Sequence, residues 1–155
     1  EFLLQKLPPP SPYKDIDLLT TTRNKFKFAS NKLDYVAQLL GIGMKTSHEG
    51  MPLWIECMAK NAKAWKLMKK YNINDVKLTE EVYYKLQGWI NTHPNYNLEH
   101  KNICCPNCGS HHLTKRGFTI SLTNKYQRLQ CQSCGKWSRV KQPVEKIKSE
   151  SAIPI

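Results

Sequence analysis

Two Cys-x-x-Cys pairs, Cys105-Pro106-Asn107-Cys108 and Cys131-Gln132-Ser133-Cys134, stand twenty-two residues apart, and each runs straight into a glycine, Gly109 or Gly135. Nothing else in the chain restricts its fold so tightly. Four thiolates presented from two tight turns converge on one ion with the tetrahedral geometry that Zn²⁺ prefers. The glycines supply the positive φ such a turn tends to need, and the turn aims backbone amides at the sulfurs. The competing use of these residues is as redox dithiols or structural disulfides. The paired spacing, the paired glycines and the lack of a secretory signal favour zinc. Cys104 is a spare thiol: it replaces Cys105 only in a Cys-x-x-x-Cys register, which breaks the symmetry of the two pairs.

Between the pairs the pattern predicts two strands, 113–120 and 126–130, joined by Ser121-Leu122-Thr123-Asn124-Lys125. That is the layout of a zinc ribbon. The segment 113–140 resembles ribbons of transposases and of phage or transcription proteins, notably in Tyr126-Gln127-Arg128-Leu129-Gln130-Cys131 and Cys134-Gly135-Lys136-Trp137. His111 and His112 follow the first pair and can compete as ligands, but four cysteines already complete a shell.

Charge points to the partner. Residues 101–141 hold eight bases (Lys101, Lys115, Arg116, Lys125, Arg128, Lys136, Arg139, Lys141) and no Asp or Glu. The net two negative charges of a four-thiolate zinc centre leave the module strongly basic. The whole chain carries a formal charge of +12, which calls for a polyanion, with nucleic acid the default. A membrane surface would require a basic amphipathic helix, and none is found. The candidate contacts are Lys115, Arg116, Phe118, Lys125, Tyr126, Arg128, Lys136 and Arg139. Phe118, Tyr126 and Trp137 either stack on exposed bases or fill the ribbon's small core, and the residues alone leave both uses open. The expected partner is DNA, as single strands or 3′ ends.

Upstream the chain reads as helical. Residues 1–7 look like the tail of a helix, prolines make 8–12 an extended connector, and 15–20 suggest a short strand. Its Asp15-x-Asp17 pair is either solvated, capping or a metal site. Ser30 or Asn31 can cap a helix whose apolar residues Leu33, Val36, Ala37 and Leu40 follow i, i+3, i+4, i+7, and Gly41 is placed to end it. A loop over 41–50 leads to a helix with Pro52 in its first turn and Cys57 as a buried thiol. A short helix over 62–69 follows, with Trp65 and Leu67 or Met68 inward. A further helix is expected to start near Asn74 or Asp75 and to reach about Ile90. Positions 71, 75, 78, 82, 86 and 89 share one of its faces, which puts Asp75 on an apolar stripe, where it must be a cap, a pair or a cation ligand.

Tyr71-x-x-x-Asp75 resembles the third motif of the ribonuclease H-like 3′-to-5′ exonucleases of the DEDDy type, the group that includes proofreading domains of B-family DNA polymerases. Asn31-Lys32-Leu33-Asp34-Tyr35-Val36-Ala37 and the Leu-Gly end after it are similar to the same family's connecting region. The likeness covers roughly residues 13–90. It implies a catalytic Mg²⁺ or Mn²⁺ held by Asp75, with the Tyr71 hydroxyl orienting the attacking water. The family's Asp-x-Glu motif and its second aspartate do not occur before Tyr71. The expectation is therefore the C-terminal part of a longer exonuclease, inactive alone and completed by a missing N-terminal part or a partner chain, or else a remnant that has lost catalysis. The alternative is a non-catalytic zinc-ribbon DNA-binding protein of the transposase or transcription-factor kind.

The expected architecture is α+β: a mostly helical part over 1–90, a polar linker over 91–103 with His93 in a solvated turn, a ribbon over 104–141 and a flexible tail over 142–155. Cysteines in metal spacing suit a reducing, cytoplasmic compartment. No apolar run is long enough to cross a bilayer.

Overall fold

The computed structural model describes residues 2, 4–9, 11–45, 50–100, 102–148 and 152. Helices α1 (Leu18–Lys25), α2 (Leu33–Leu39), α3 (Met51–Met58) and α4 (Ala62–Leu86) precede a small antiparallel sheet. Its strands are β1 (Leu113–Ile120), β2 (Asn124–Cys131), β3 (Trp137–Arg139) and β4 (Glu145–Lys146). The expected α+β order holds, with a cysteine-bearing β module after the helices.

Several elements differ from expectation, each for a local reason. Residues 15–20 do not form a strand. Asp17 caps α1 instead: its Oδ1 accepts from the Leu19 and Thr20 amides at 2.8 and 3.1 Å, and its Oδ2 from the Thr20 hydroxyl at 2.7 Å. The Thr20 hydroxyl and amide hold that carboxyl below its usual range. Neither Ser30 nor Asn31 caps α2. Lys32 occupies the cap without a side-chain bond, and Ser30 Oγ accepts the Lys32 amide at 3.3 Å, upstream of the first turn. The far end of α2 closes on Gly41 at φ +66, with the Gly41 amide on Gln38 O and the Ile42 amide on Ala37 O, a Schellman pair.

Where two helices were expected, α4 runs unbroken for 25 residues. Asn61 caps it, accepting from the Lys63 and Ala64 amides at 2.9 and 3.3 Å. Asn72, Asn74 and Asp75 are weak helix formers but none is prohibitive, and tertiary packing overrides the local dip. Asp75 is thus mid-helix and caps nothing. Trp65, expected inward, is 55% exposed; Met68 takes the core position.

α4 organises the helical part. Its N-terminal half packs on α3 through Leu53, Cys57, Ala64 and Met68, with Tyr71 at the margin. Its C-terminal half packs on α1 and α2 through Val36, Ala37, Leu78, Val82 and Leu86, flanked by Phe26, Phe28 and Leu33. A 3-10 turn, Gln87–Trp89, continues α4. Trp89 is half exposed and meets Phe26, which stacks on Phe28.

In the sheet, β2 is central to the pairing. β1 lies along it from Leu113↔Cys131 to Ile120↔Lys125, with a register shift between Lys115 and Phe118 where Gly117 adopts φ +63. β3 and β4 share the other edge, β3 opposite 128–130 and β4 opposite 124–125. β4 falls in the segment expected to be flexible. The segment expected to be a polar linker holds a second 3-10 turn, Tyr96–Leu98. Outside the described residues lie Glu1, Leu3 and Pro10 of the opening segment, 46–49 of the expected loop, Lys101 of the basic set, and 149–151 and 153–155 of the tail.

Truncating a fully packed side chain on α4 tests this core. Leu86→Ala should lower unfolding free energy by about 2–5 kcal/mol, and Trp65→Ala by no more than about 0.5 kcal/mol, both read by chemical denaturation.

Candidate metal centre and the surfaces around it

Cys105, Cys108, Cys131 and Cys134 bring their sulfurs within 4.8 Å of one another. The Cys105–Cys134 and Cys108–Cys131 sulfurs are each 3.6 Å apart. Four sulfurs about 2.3 Å from a tetrahedral zinc would be about 3.8 Å from each other, so the set fits the ion in number, type and spacing. All six cysteines are free of disulfides.

The two knuckles are built alike. The Cys105 amide donates to Ser110 O at 2.8 Å and the Gly109 amide to Cys105 O at 2.9 Å; in the second, the Cys131 amide donates to Lys136 O at 2.9 Å and the Gly135 amide to Cys131 O at 3.1 Å. Gly109 at φ +71 and Gly135 at φ +75 carry the positive φ that closes each turn. The resulting curl aims amides at sulfur: Ser133 N–H reaches Cys131 Sγ at 3.4 Å. Burial pushes the Cys108 and Cys134 thiols up, against the pull of the Ser110 and Lys136 amides. Burial works the same way on Cys131, but the Cys134 and Ser133 amides, together with the Cys108 and Cys134 thiols beside it, outweigh it and draw that thiol down. Such amides stabilise thiolate and so favour a cation among the sulfurs.

Cys104 is buried yet outside the cluster. Its backbone exchanges two bonds with the Asn97 side chain, at 2.8 and 2.7 Å, and burial raises its thiol pKa. His111 and His112 are exposed and also stand apart; His111 Nδ1 is 3.1 Å from Ile103 O. His93 is not in a solvated turn. It is half-buried, with Nε2 2.7 Å from the Tyr83 hydroxyl and Nδ1 2.7 Å from Pro94 O.

The first knuckle docks on the end of α4 through a contact that sequence reasoning missed. Asn107 is buried, and its amide donates to Gln87 O and Ile90 O at 2.7 Å each, while Gln87 Nε2 donates to Asn107 O at 2.7 Å. Lys136 joins this seam, with Nζ 3.1 Å from both Ile90 O and Asn91 Oδ1. It is a cation at a helix C-terminus, which complements the helix dipole, although burial, with Lys25 nearby, lowers its pKa. Gly88 lies so close to the second knuckle that a Cβ there would strike Cys134 O. A glycine inside a helical pattern was the available signal.

The remaining basic and aromatic candidates divide between the two faces of the sheet. Strand alternation and register put Tyr126, Arg128, Trp137 and Arg139 on one face and Lys115, Phe118 and Lys125 on the other. Arg128 lies over the Trp137 ring, Arg139 over Tyr126 and Lys125 over Phe118. Arg116 sits in the register shift, where its carbonyl accepts from Arg128 Nε at 3.2 Å.

Tyr71 and Asp75 stand one turn apart on α4, and the cation between them is an ammonium. Lys45 Nζ lies 2.7 Å from Asp75 Oδ2 and 3.3 Å from the Tyr71 hydroxyl. Asp75, burial notwithstanding, holds the Lys45 pKa above its usual value. Asp34 takes the Lys45 backbone amide at 2.7 Å and Asn74 donates to Met44 O at 3.2 Å. Asp75 Oδ1 and Asn31 Oδ1 are buried with no hydrogen-bond partner among the described residues, and both side chains line an open groove of about 1380 Å³ between α1, α2 and α4. Among the described residues, the four cysteines are the only cluster of three or more His, Cys, Asp or Glu that could hold a metal.

Chain purified without added metal should carry one Zn²⁺, and chelation should abolish amide-exchange protection of β1 and β2, more readily as pH falls and the thiols protonate. Gly88→Ala should retain the zinc and yet lose about 1–3 kcal/mol of unfolding free energy by forcing the knuckle off α4, read by metal analysis and denaturation on the same sample.

No helix among the described residues is long and apolar enough to cross a membrane. Compared with family models, with curated proteins and with solved structures, the chain finds no match.

Proposed function

We propose that the chain is a zinc-ribbon protein that binds nucleic acid, with the ribbon as the gripping surface and α4 as its rigid base. The observation that carries this is the four-sulfur cluster stapling together a sheet with almost no negative charge. Within residues 102–148 the only carboxylate is Glu145, against seven lysines and arginines up to Lys141. A surface so charged gains from releasing the counterions of a polyanion. Thiols free for metal suit a reducing, cytoplasmic setting, and DNA is the partner proposed.

A second reading, part of a ribonuclease H-like 3′-to-5′ exonuclease, draws on Tyr71 and Asp75 sharing one face of α4 and on the unpartnered Asp75 Oδ1. Two-metal hydrolysis needs several carboxylates around a cation pair. Here Asp75 would bring one, Lys45 would have to leave it, and further ligands would have to come from elsewhere, such as a partner chain. Mg²⁺ or Mn²⁺ would then polarise the scissile phosphate.

Two measurements separate these readings. The 155-residue chain should bind a labelled DNA oligonucleotide with an affinity that falls steeply as salt rises. It should release no nucleotides in Mg²⁺ or Mn²⁺. Nucleotide release that Asp75→Asn abolishes would shift the assignment to the exonuclease; salt-independent or absent binding would remove the nucleic-acid role.

A further inference from the structure

The ribbon's two faces are unequal, and the difference selects a class of nucleic acid. On the face bearing Tyr126, Arg128, Trp137 and Arg139 the register sets Arg128 directly opposite Arg139 and Gln130 opposite Trp137. The order along the sheet is therefore ring, guanidinium pair, ring. The two guanidiniums lean outward in opposite senses: Arg128 Cζ lies 4.7 Å from the Trp137 ring centre and Arg139 Cζ 3.8 Å from that of Tyr126. Trp137 keeps 46% of its surface exposed even beneath Arg128. No carboxylate approaches either arginine among the described salt bridges.

The opposite face is built for other work. It carries Leu129, buried to 7% exposure, and Cys131 of the metal centre. Its Lys125 is 3.1 Å from Glu145 as well as over Phe118. Lys136, on neither face, is engaged with the end of α4.

Resting on the reading of the ribbon as a nucleic-acid-binding module, we propose that Tyr126, Arg128, Trp137 and Arg139 form a stacking platform for single-stranded nucleic acid. From Tyr126 to the Gln130–Trp137 pair is four residues of strand, about 13 Å at the usual rise, and that span presents two aromatic rings with cations between them. Ring faces reward contact with base faces. In a duplex those are covered by neighbouring bases, whereas in a single strand they can be splayed outward. A base that stacks there takes the place of the guanidinium now lying over the ring, and the displaced guanidinium turns its N–H edges to the adjacent phosphate. Trp137 thereby becomes a binding residue in place of a core residue. Lys115, Phe118, Lys125 and Lys136 fall outside the platform.

The test uses the full zinc-loaded chain and fluorescence anisotropy with three probes of similar charge: an oligothymidylate, an abasic strand of the same length, and a duplex. The oligothymidylate should bind at least tenfold more tightly than the abasic strand. Tyr126→Leu with Trp137→Leu, which keeps apolar bulk, should erase that preference and leave the salt slope unchanged. Arg128→Ala with Arg139→Ala should lower the log-log salt slope by about 0.7 for each phosphate that is no longer neutralised. Lys115→Ala with Lys125→Ala should alter the base preference by less than twofold. Metal content and denaturation midpoints confirm that each variant is folded. Equal affinity for all three probes, or a base preference that survives the leucine pair and falls with the Lys115 and Lys125 pair, overturns the platform while nucleic-acid binding stands. Absence of binding to every probe overturns both.

Discussion

A tetrahedron of sulfur is the constraint on which the β module depends. The ribbon has one well-buried apolar side chain outside its cysteines, Leu129, far too little to offset the conformational entropy of ordering four strands. What closes the sheet is the requirement that two distant turns bring four sulfurs to one point. Because the turns do this with their own backbone, through matched amide-to-carbonyl and amide-to-sulfur bonds, the side chains of β1, β2 and β3 are released from packing duty. That release is why rings as large as Phe118 and Trp137 are left half exposed.

The same economy explains how the ribbon joins the helices. A module without a core has no apolar face to bury against a neighbour, so the seam is polar and reciprocal: Asn107 satisfies two carbonyls at the end of α4, and Gln87 returns one bond. Each group would be costly to bury alone, and pairing removes the penalty. Backbone approaches backbone at Gly88 and Cys134. The second 3-10 turn packs in beneath, the Tyr96 amide donating to Pro106 O at 3.1 Å. What reads as a linker is part of the joint.

The metal centre was legible because its requirement is local and discrete: a ligand type, a spacing and a glycine. The hairpin between the knuckles was legible for a related reason, since Cys131 closes β2 and alternation marks both strands. Elsewhere local signals competed. Asp15-Ile16-Asp17-Leu18 alternates like a strand, but the Asp17 carboxylate beside two amides makes a cap, and the cap prevailed. The polar residues 72–75 look like a helix boundary, but the stripe from Ala64 to Leu86 carried α4 across them. The division of the basic residues between two faces depends on register, and the pairing of Gln87 with Asn107 joins positions twenty apart. Neither is written in a window of sequence. The Tyr71 and Asp75 spacing was visible, whereas their partner Lys45, thirty residues from Asp75, was not.

The unbroken length of α4 makes the protein a ruler. At about 1.5 Å per residue, the stretch between the α3 contact and the knuckle is a strut of about 30 Å, seated at one end on an apolar cluster and at the other on a polar lock. Anything held by the ribbon is therefore kept at a set reach from α3, whose Met51, Trp54, Ile55 and Met58 are exposed. A break in the strut, such as a proline near its middle, would leave both ends chemically intact and change only the distance and angle between them.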